Sequence, residues 1–253
     1  DIKGHGTHLA GIIAANNQNN VGIKGITSKV KIMPIKITNN SGKATQVDAA
    51  MAIKYAVDNG AKVINCSWGF SHYNQVLKQV INYATNQGVT VICAVGNGYQ
   101  NQKVYPAAFE NTIAIGSVNL NHYKSDFSNW GDHIDYVFYG ENIFSLNTNN
   151  SYSYRSGTSM ATAMFSGVCA KIFSADNTLT DKTLHELLTK SSTDINQVGK
   201  DIQTGNGILD IRKLLTNLDN SFNSVFNLGG KTKTISSTKN KTQDPIKEFL
   251  DML

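Results

Sequence analysis

At 253 residues, 40% hydrophobic and 16% charged, with three prolines, the chain suits one large globular domain or two small ones. That composition excludes collagenous, coiled-coil and wholly disordered proteins, and no stretch approaches the roughly 18 apolar residues that cross a bilayer. The net charge of +5 permits an acidic partner, but the base is nearly all Lys; Arg155 and Arg212 are the only arginines, which argues against a nucleic-acid reader.

The chain opens at Asp1 with no Met and no leader-like segment, so no secretory signal is visible, and a piece of a longer protein is expected. Lys29 to Ile37 is apolar at alternate positions and predicts a strand. Gln46 to Asn59 is helical in period, with Gly60 as its stop, and Lys62 to Trp68 reads as a buried strand. Tyr73 to Gln87 predicts a helix with Val76, Leu77, Val80, Ile81, Tyr83 and Ala84 facing inward. Val89 to Val95 and Thr112 to Val118 are continuous apolar runs. Such runs between amphipathic helices imply a mainly parallel sheet covered on both faces, an α/β fold with three α/β/α layers. Ligands of such sheets bind at the carboxyl ends of the strands, here just after Cys66, Val95 and Val118.

Beyond Asn119 the chain is loop-rich, with short strands expected at Ile134–Phe138 and Asn142–Leu146. Thr158 to Ala175 reads as one long apolar helix and Thr183 to Lys190 as a shorter one, and Gly207 to Leu218 closes the compact region. Residues 1–218 are therefore expected to be the domain and 219–253 a polar Lys/Ser/Thr/Asn-rich tail or linker, with Pro245 to Leu253 forming at most an isolated turn. Cys66, Cys93 and Cys169 each sit in an apolar run. They suit neither a disulfide framework nor a metal site and read as buried small hydrophobes.

Two segments place a reactive side chain among small residues at the start of an apolar helix: Gly4-His5-Gly6-Thr7-His8-Leu9-Ala10-Gly11 and Gly157-Thr158-Ser159-Met160-Ala161-Thr162. Glycine neighbours let a substrate approach closely, and the first N–H groups of a helix are free to bind an anion. A neutral His5 beside Ser159 could take its proton and make it a nucleophile. Asn97, in Ala94-Val95-Gly96-Asn97-Gly98 at the end of a buried strand, could aim an amide at a developing oxyanion, or serve only as a turn residue. His8 reads as structural. His5 and His8 do not form the HExxH pattern of zinc proteases, and Ala161 breaks the GxSxG pattern of the α/β-hydrolases.

GHGTHLAG, AVGN and SGTSMAT resemble the catalytic His block, the oxyanion Asn block and the catalytic Ser block of the subtilisin-like serine proteases (subtilases, peptidase family S8). The likeness runs from Asp1 to about Leu215 and takes in INCSWG, YPA at Tyr105 to Ala107, FSNWG near Phe127 and GNGILD near Gly207. It implies a serine endopeptidase: His5 as general base and then acid, Ser159 as nucleophile, and Asn97 in the oxyanion hole. It implies substrate binding by Ser67, Trp68 and Gly69 on one side and Ala94, Val95 and Gly96 on the other, with Trp68 part core and part pocket wall. It also implies a polypeptide substrate, no cofactor for catalysis, an extracellular or cell-surface location, and a propeptide or upstream segment as partner.

Asn16 to Gly22 resembles a family loop that holds calcium, but the loop contains no carboxylate, so support for a structural calcium is weak. In the family the triad Asp lies upstream of the His block, at the end of a buried strand. Asp1, four residues before His5, is too close to be that group and is expected in the turn leading into the block. The first strand and its Asp are thus missing, which leaves a sheet edge unpaired and makes this chain alone a very poor enzyme. Ala163-Met164-Phe165 stand where the family usually carries Pro-His, and Phe138-Tyr139-Gly140 where it often carries Ala-Pro-Gly. These departures also motivate the alternative of a degenerate subtilase that binds peptides or partners without cutting them.

Overall fold

The computed structural model describes residues 1–16 and 18–225. In chain order the elements are α1 (His5–Ala14), α2 (Gln46–Asp58), β1 (Val63–Cys66), α3 (Gln75–Asn86), β2 (Thr90–Ala94), β3 (Ile113–Val118), β4 (Tyr136–Tyr139), β5 (Ile143–Asn147), β6 (Ser151–Arg155), α4 (Thr158–Ala175), α5 (Asp181–Lys190), β7 (Ser192–Thr193), β8 (Ile208–Leu209) and α6 (Ile211–Val225). One six-stranded sheet runs β1-β2-β3-β4-β8-β7, parallel except for β7, and β5 and β6 form a separate antiparallel hairpin.

The continuous apolar runs became β2 and β3, every residue of which is buried. Their register sets Cys66 of β1 beside Cys93 of β2, both fully buried. The α4 helix lies across β1 to β4 and carries α1 on its other side, while α2 and α3 pack against each other, with α3 on β2. Caps fix where these helices begin: Thr45 and Asp48 form a capping box on α2, and the Asn74 side chain accepts the Leu77 N–H at the start of α3.

Two expectations change. Lys29–Ile37 is not a strand: among the described residues no strand pairs with it, and Ile32 and Met33 stay about 40% and 39% exposed. Alternation alone makes no strand where no neighbour supplies the ladder hydrogen bonds. On α3, Leu77, Ile81 and Ala84 are buried but Val76 and Tyr83 are 51% and 37% exposed. The sequence carries two adjacent apolar stripes about 100° apart, and only one can face the sheet. At the C-terminus, α6 continues beyond Leu218 to Val225; the remainder of the expected tail, including Pro245 to Leu253, lies outside the described residues.

Candidate active site

Three chain segments that are far apart in sequence meet above the carboxyl ends of β1 and β2. The first is the start of α1. Gly4, at φ +73°, precedes His5, and a Cβ there would overlap Asn147 Oδ1, so only glycine lets the turn pass under the β5–β6 hairpin. Asp1 sits in this turn as expected. Its carboxylate accepts the N–H groups of Lys3 (3.1 Å), Gly4 (3.0 Å) and Thr7 (2.8 Å) and the Thr7 hydroxyl (3.0 Å). It caps the helix and makes no hydrogen bond to His5. The His5 imidazole is half-buried, and burial, with the Arg155 charge second, holds it below the ordinary histidine value. It is therefore neutral at pH 7, the form a general base needs.

Ser159 is the second residue of α4. Its Oγ donates to the Ser67 carbonyl (3.2 Å), and its own carbonyl accepts the Ser67 hydroxyl (2.9 Å). This reciprocal clasp ties the nucleophile candidate to the end of β1. Asn65 reinforces it, donating to Ser67 Oγ (2.9 Å) and accepting from Ser166 Oγ of α4 (3.0 Å).

Asn97 is exposed, and its Oδ1 accepts both the Thr158 N–H and the Thr158 hydroxyl at 2.9 Å. A backbone N–H only donates, so the bond identifies which arm of the amide is oxygen and leaves Nδ2 as a free donor.

Two cavities share Asn97 and Ser159. The first, about 300 Å³, is walled by Ser67, Trp68 and Gly69 on one side and Ala94 and Gly96 on the other. Trp68 is half-buried, edge-on to Phe70 at 5.7 Å, which fits both of its expected roles. Gly69 lies against Val104, whose methyl a Cβ would overlap. Val95 does not line this cavity. It is fully buried, its N–H bonded to the Ile115 carbonyl (3.2 Å) and its carbonyl to Asn129 Nδ2 (3.0 Å). The second cavity, about 310 Å³, lies beside the first and is lined by His5, Asn97, Arg155, Ser156, Ser159 and Met160 among others. Both open to solvent.

His8, buried behind the site, places Nε2 3.1 Å from the Ser153 carbonyl, in keeping with a structural role. Asn16 Oδ1 and Asn19 Oδ1 accept the N–H groups of Gln18 (2.9 Å) and Val21 (3.3 Å), so these loop oxygens serve local turns. Among the described residues no three His, Cys, Asp or Glu side chains gather as metal ligands, and no helix is long and apolar enough to cross a membrane.

Three supporting residues escaped the sequence reading. Asn65 and Asn129 hold the two walls, Asn129 also accepting the Gly98 N–H (2.8 Å), and Arg155 borders His5. Asn65 and Asn129 stood inside quoted motifs; Arg155, as one of only two arginines, was the available signal.

A sequence profile of the subtilase family matches residues 1–207. The chain is 42% identical over 172 residues to thermitase of Thermoactinomyces vulgaris, covering 68% of this chain and 62% of that one. It is 41% identical over 174 residues to a thermophilic serine proteinase of Bacillus sp. (strain AK1), covering 69% of this chain and 43% of that one. The chain thus spans between two fifths and two thirds of the length of these relatives. Among solved structures, sphericase superposes with a TM-score of 0.78 at 30% identity, over 83% of this chain and 78% of that one.

Proposed function

This chain belongs to the subtilase family, and from that premise we propose that it carries the Ser–His half of a serine endopeptidase. The observation that carries the reading is the convergence of His5, Ser159 and Asn97 on one cavity. Ser159 Oγ attacks the peptide carbonyl while His5 takes its proton. The carbonyl oxygen, gaining negative charge, is met by Asn97 Nδ2 and the free N–H of Ser159 at the start of α4. His5 then protonates the departing amine, an acyl ester remains on Ser159, and a water activated by His5 releases it.

A carboxylate is needed to orient the imidazole, and we assign it to an upstream segment. The half-exposed residues Val63, Ile64 and Asn65 of β1, the outermost strand of the described sheet, support this: a further strand laid there would be paired and covered. The substrate is a polypeptide whose acyl half lies between Ser67–Gly69 and Ala94–Gly96. By family habit the protein works outside the cell or at its surface, with a propeptide or upstream segment as partner.

A second reading is a peptide binder that does not cut. What favours it is that Ser159 Oγ donates to Ser67 rather than to His5, and that no described carboxylate contacts His5. A fluorophosphonate probe on the protein made from its whole reading frame decides. Labelling at Ser159, lost in Ser159→Ala, is expected; a folded protein that resists the probe overturns the peptidase.

A further inference from the structure

We propose that Arg155 makes the second cavity a subsite for an acidic side chain on the residue just after the scissile bond. The inference rests on the peptidase reading and refines its substrate class. His5 must protonate the departing amine, so the departing half of the substrate lies on His5's side of Ser159. That side is the 310 Å³ cavity, and Arg155 is the one permanently charged residue in its lining.

The guanidinium is aimed, not loose. Nη2 donates to the Lys3 carbonyl (2.9 Å) and reaches Asn147 Oδ1 (3.4 Å), which pins the side chain between the His5 turn and the β5–β6 hairpin. Its other N–H groups take no partner among the described residues, and no described carboxylate pairs with it. A half-buried guanidinium whose Nη1 hydrogens are unspent beside a reacting centre is suited to a charge-assisted hydrogen bond to a carboxylate. Met160, in the same lining, offers an apolar surface to the carbon stem of a Glu. The cation that depresses His5 thus also sorts what leaves.

The test uses quenched fluorescent peptides that differ only in the residue after the scissile bond: Glu, Gln or Lys. With the protein made from its whole reading frame, kcat/KM is expected to be about three- to fivefold higher for Glu than for Gln, the yield of a partly exposed ion pair, and lower still for Lys. The Glu preference should fall as salt is raised. Arg155→Lys should keep the order Glu, Gln, Lys; Arg155→Gln should bring the Glu to Gln ratio near one, and Arg155→Glu should favour Lys. A purely structural arginine would slow all three peptides alike and leave their ratios intact. Equal cleavage of Glu and Gln peptides by the unaltered protein, or unchanged ratios in Arg155→Glu, overturns the subsite alone. No cleavage together with no probe labelling at Ser159 overturns the peptidase reading and the subsite with it.

Discussion

The chemistry of single residues turns on which lone pairs and protons are already committed. Asn97 spends its oxygen on Thr158 and keeps its amide hydrogens for the cavity. Asn97→Ala should therefore lower kcat by about 10²–10³ with little change in KM, the established figure for such an oxyanion donor in this family, measured by steady-state peptide hydrolysis. Arg155 acts on His5 through space. Burial is the larger cause of the depressed His5 value and the guanidinium charge the smaller. Removing the charge in Arg155→Gln should raise that value, so the acid limb of the kcat/KM profile on a neutral peptide moves to higher pH. In Arg155→Lys the limb should stay nearly in place. The same residue thereby gives two separable readouts, one in pH and one in substrate charge.

Secondary-structure elements place these residues, and the joints between them are polar. Asn129 joins the β2 wall to the loop beyond it through the Val95 carbonyl and the Gly98 N–H. Asn129→Ala would orphan the buried Val95 carbonyl, at about 1–3 kcal/mol, and free the exposed Gly98 N–H, and should lower both the denaturant midpoint and the activity. How legible each element was in the sequence follows from what surrounds it. The β2 and β3 strands were plain because parallel strands covered on both faces read as unbroken apolar runs. The β6 strand was missed because its pattern is inverted, with Tyr152 and Tyr154 outward and Ser153 and Arg155 turned in. Lys29–Ile37 looked like a strand because alternation is local, whereas pairing depends on a neighbour. In the site, His5, Asn97 and Ser159 announced themselves by their glycine-rich neighbourhoods. Asn65, Asn129 and Arg155 did not, since what they do is defined only by residues distant in sequence.

For the whole molecule, acid is the weak direction. His8 and His133 are both held below their ordinary value of 6.5, burial being the largest cause in each. As pH falls through about 6.5 the unfolded chain takes up protons that the folded chain refuses, so stability drops. The loss levels off once the pH is below the depressed native values. Tm should be lower at pH 5 than at pH 7.5. His133, with a side chain only 6% exposed and neither ring nitrogen hydrogen-bonded, should account for part of it. His133→Phe should shrink the difference between the two pH values, whatever it does to absolute stability. The register that sets Cys66 beside Cys93 has a practical consequence of another kind. Burial pushes the Cys93 and Cys169 thiols up, so they stay protonated, and no described cysteine is exposed to an alkylating reagent in the folded state. One thiol lies in the outermost described strand, one in an inner strand and one in the helix that bears Ser159. The protein therefore carries three built-in clocks, and the order in which they are alkylated would time the opening of edge, sheet and Ser159 helix separately.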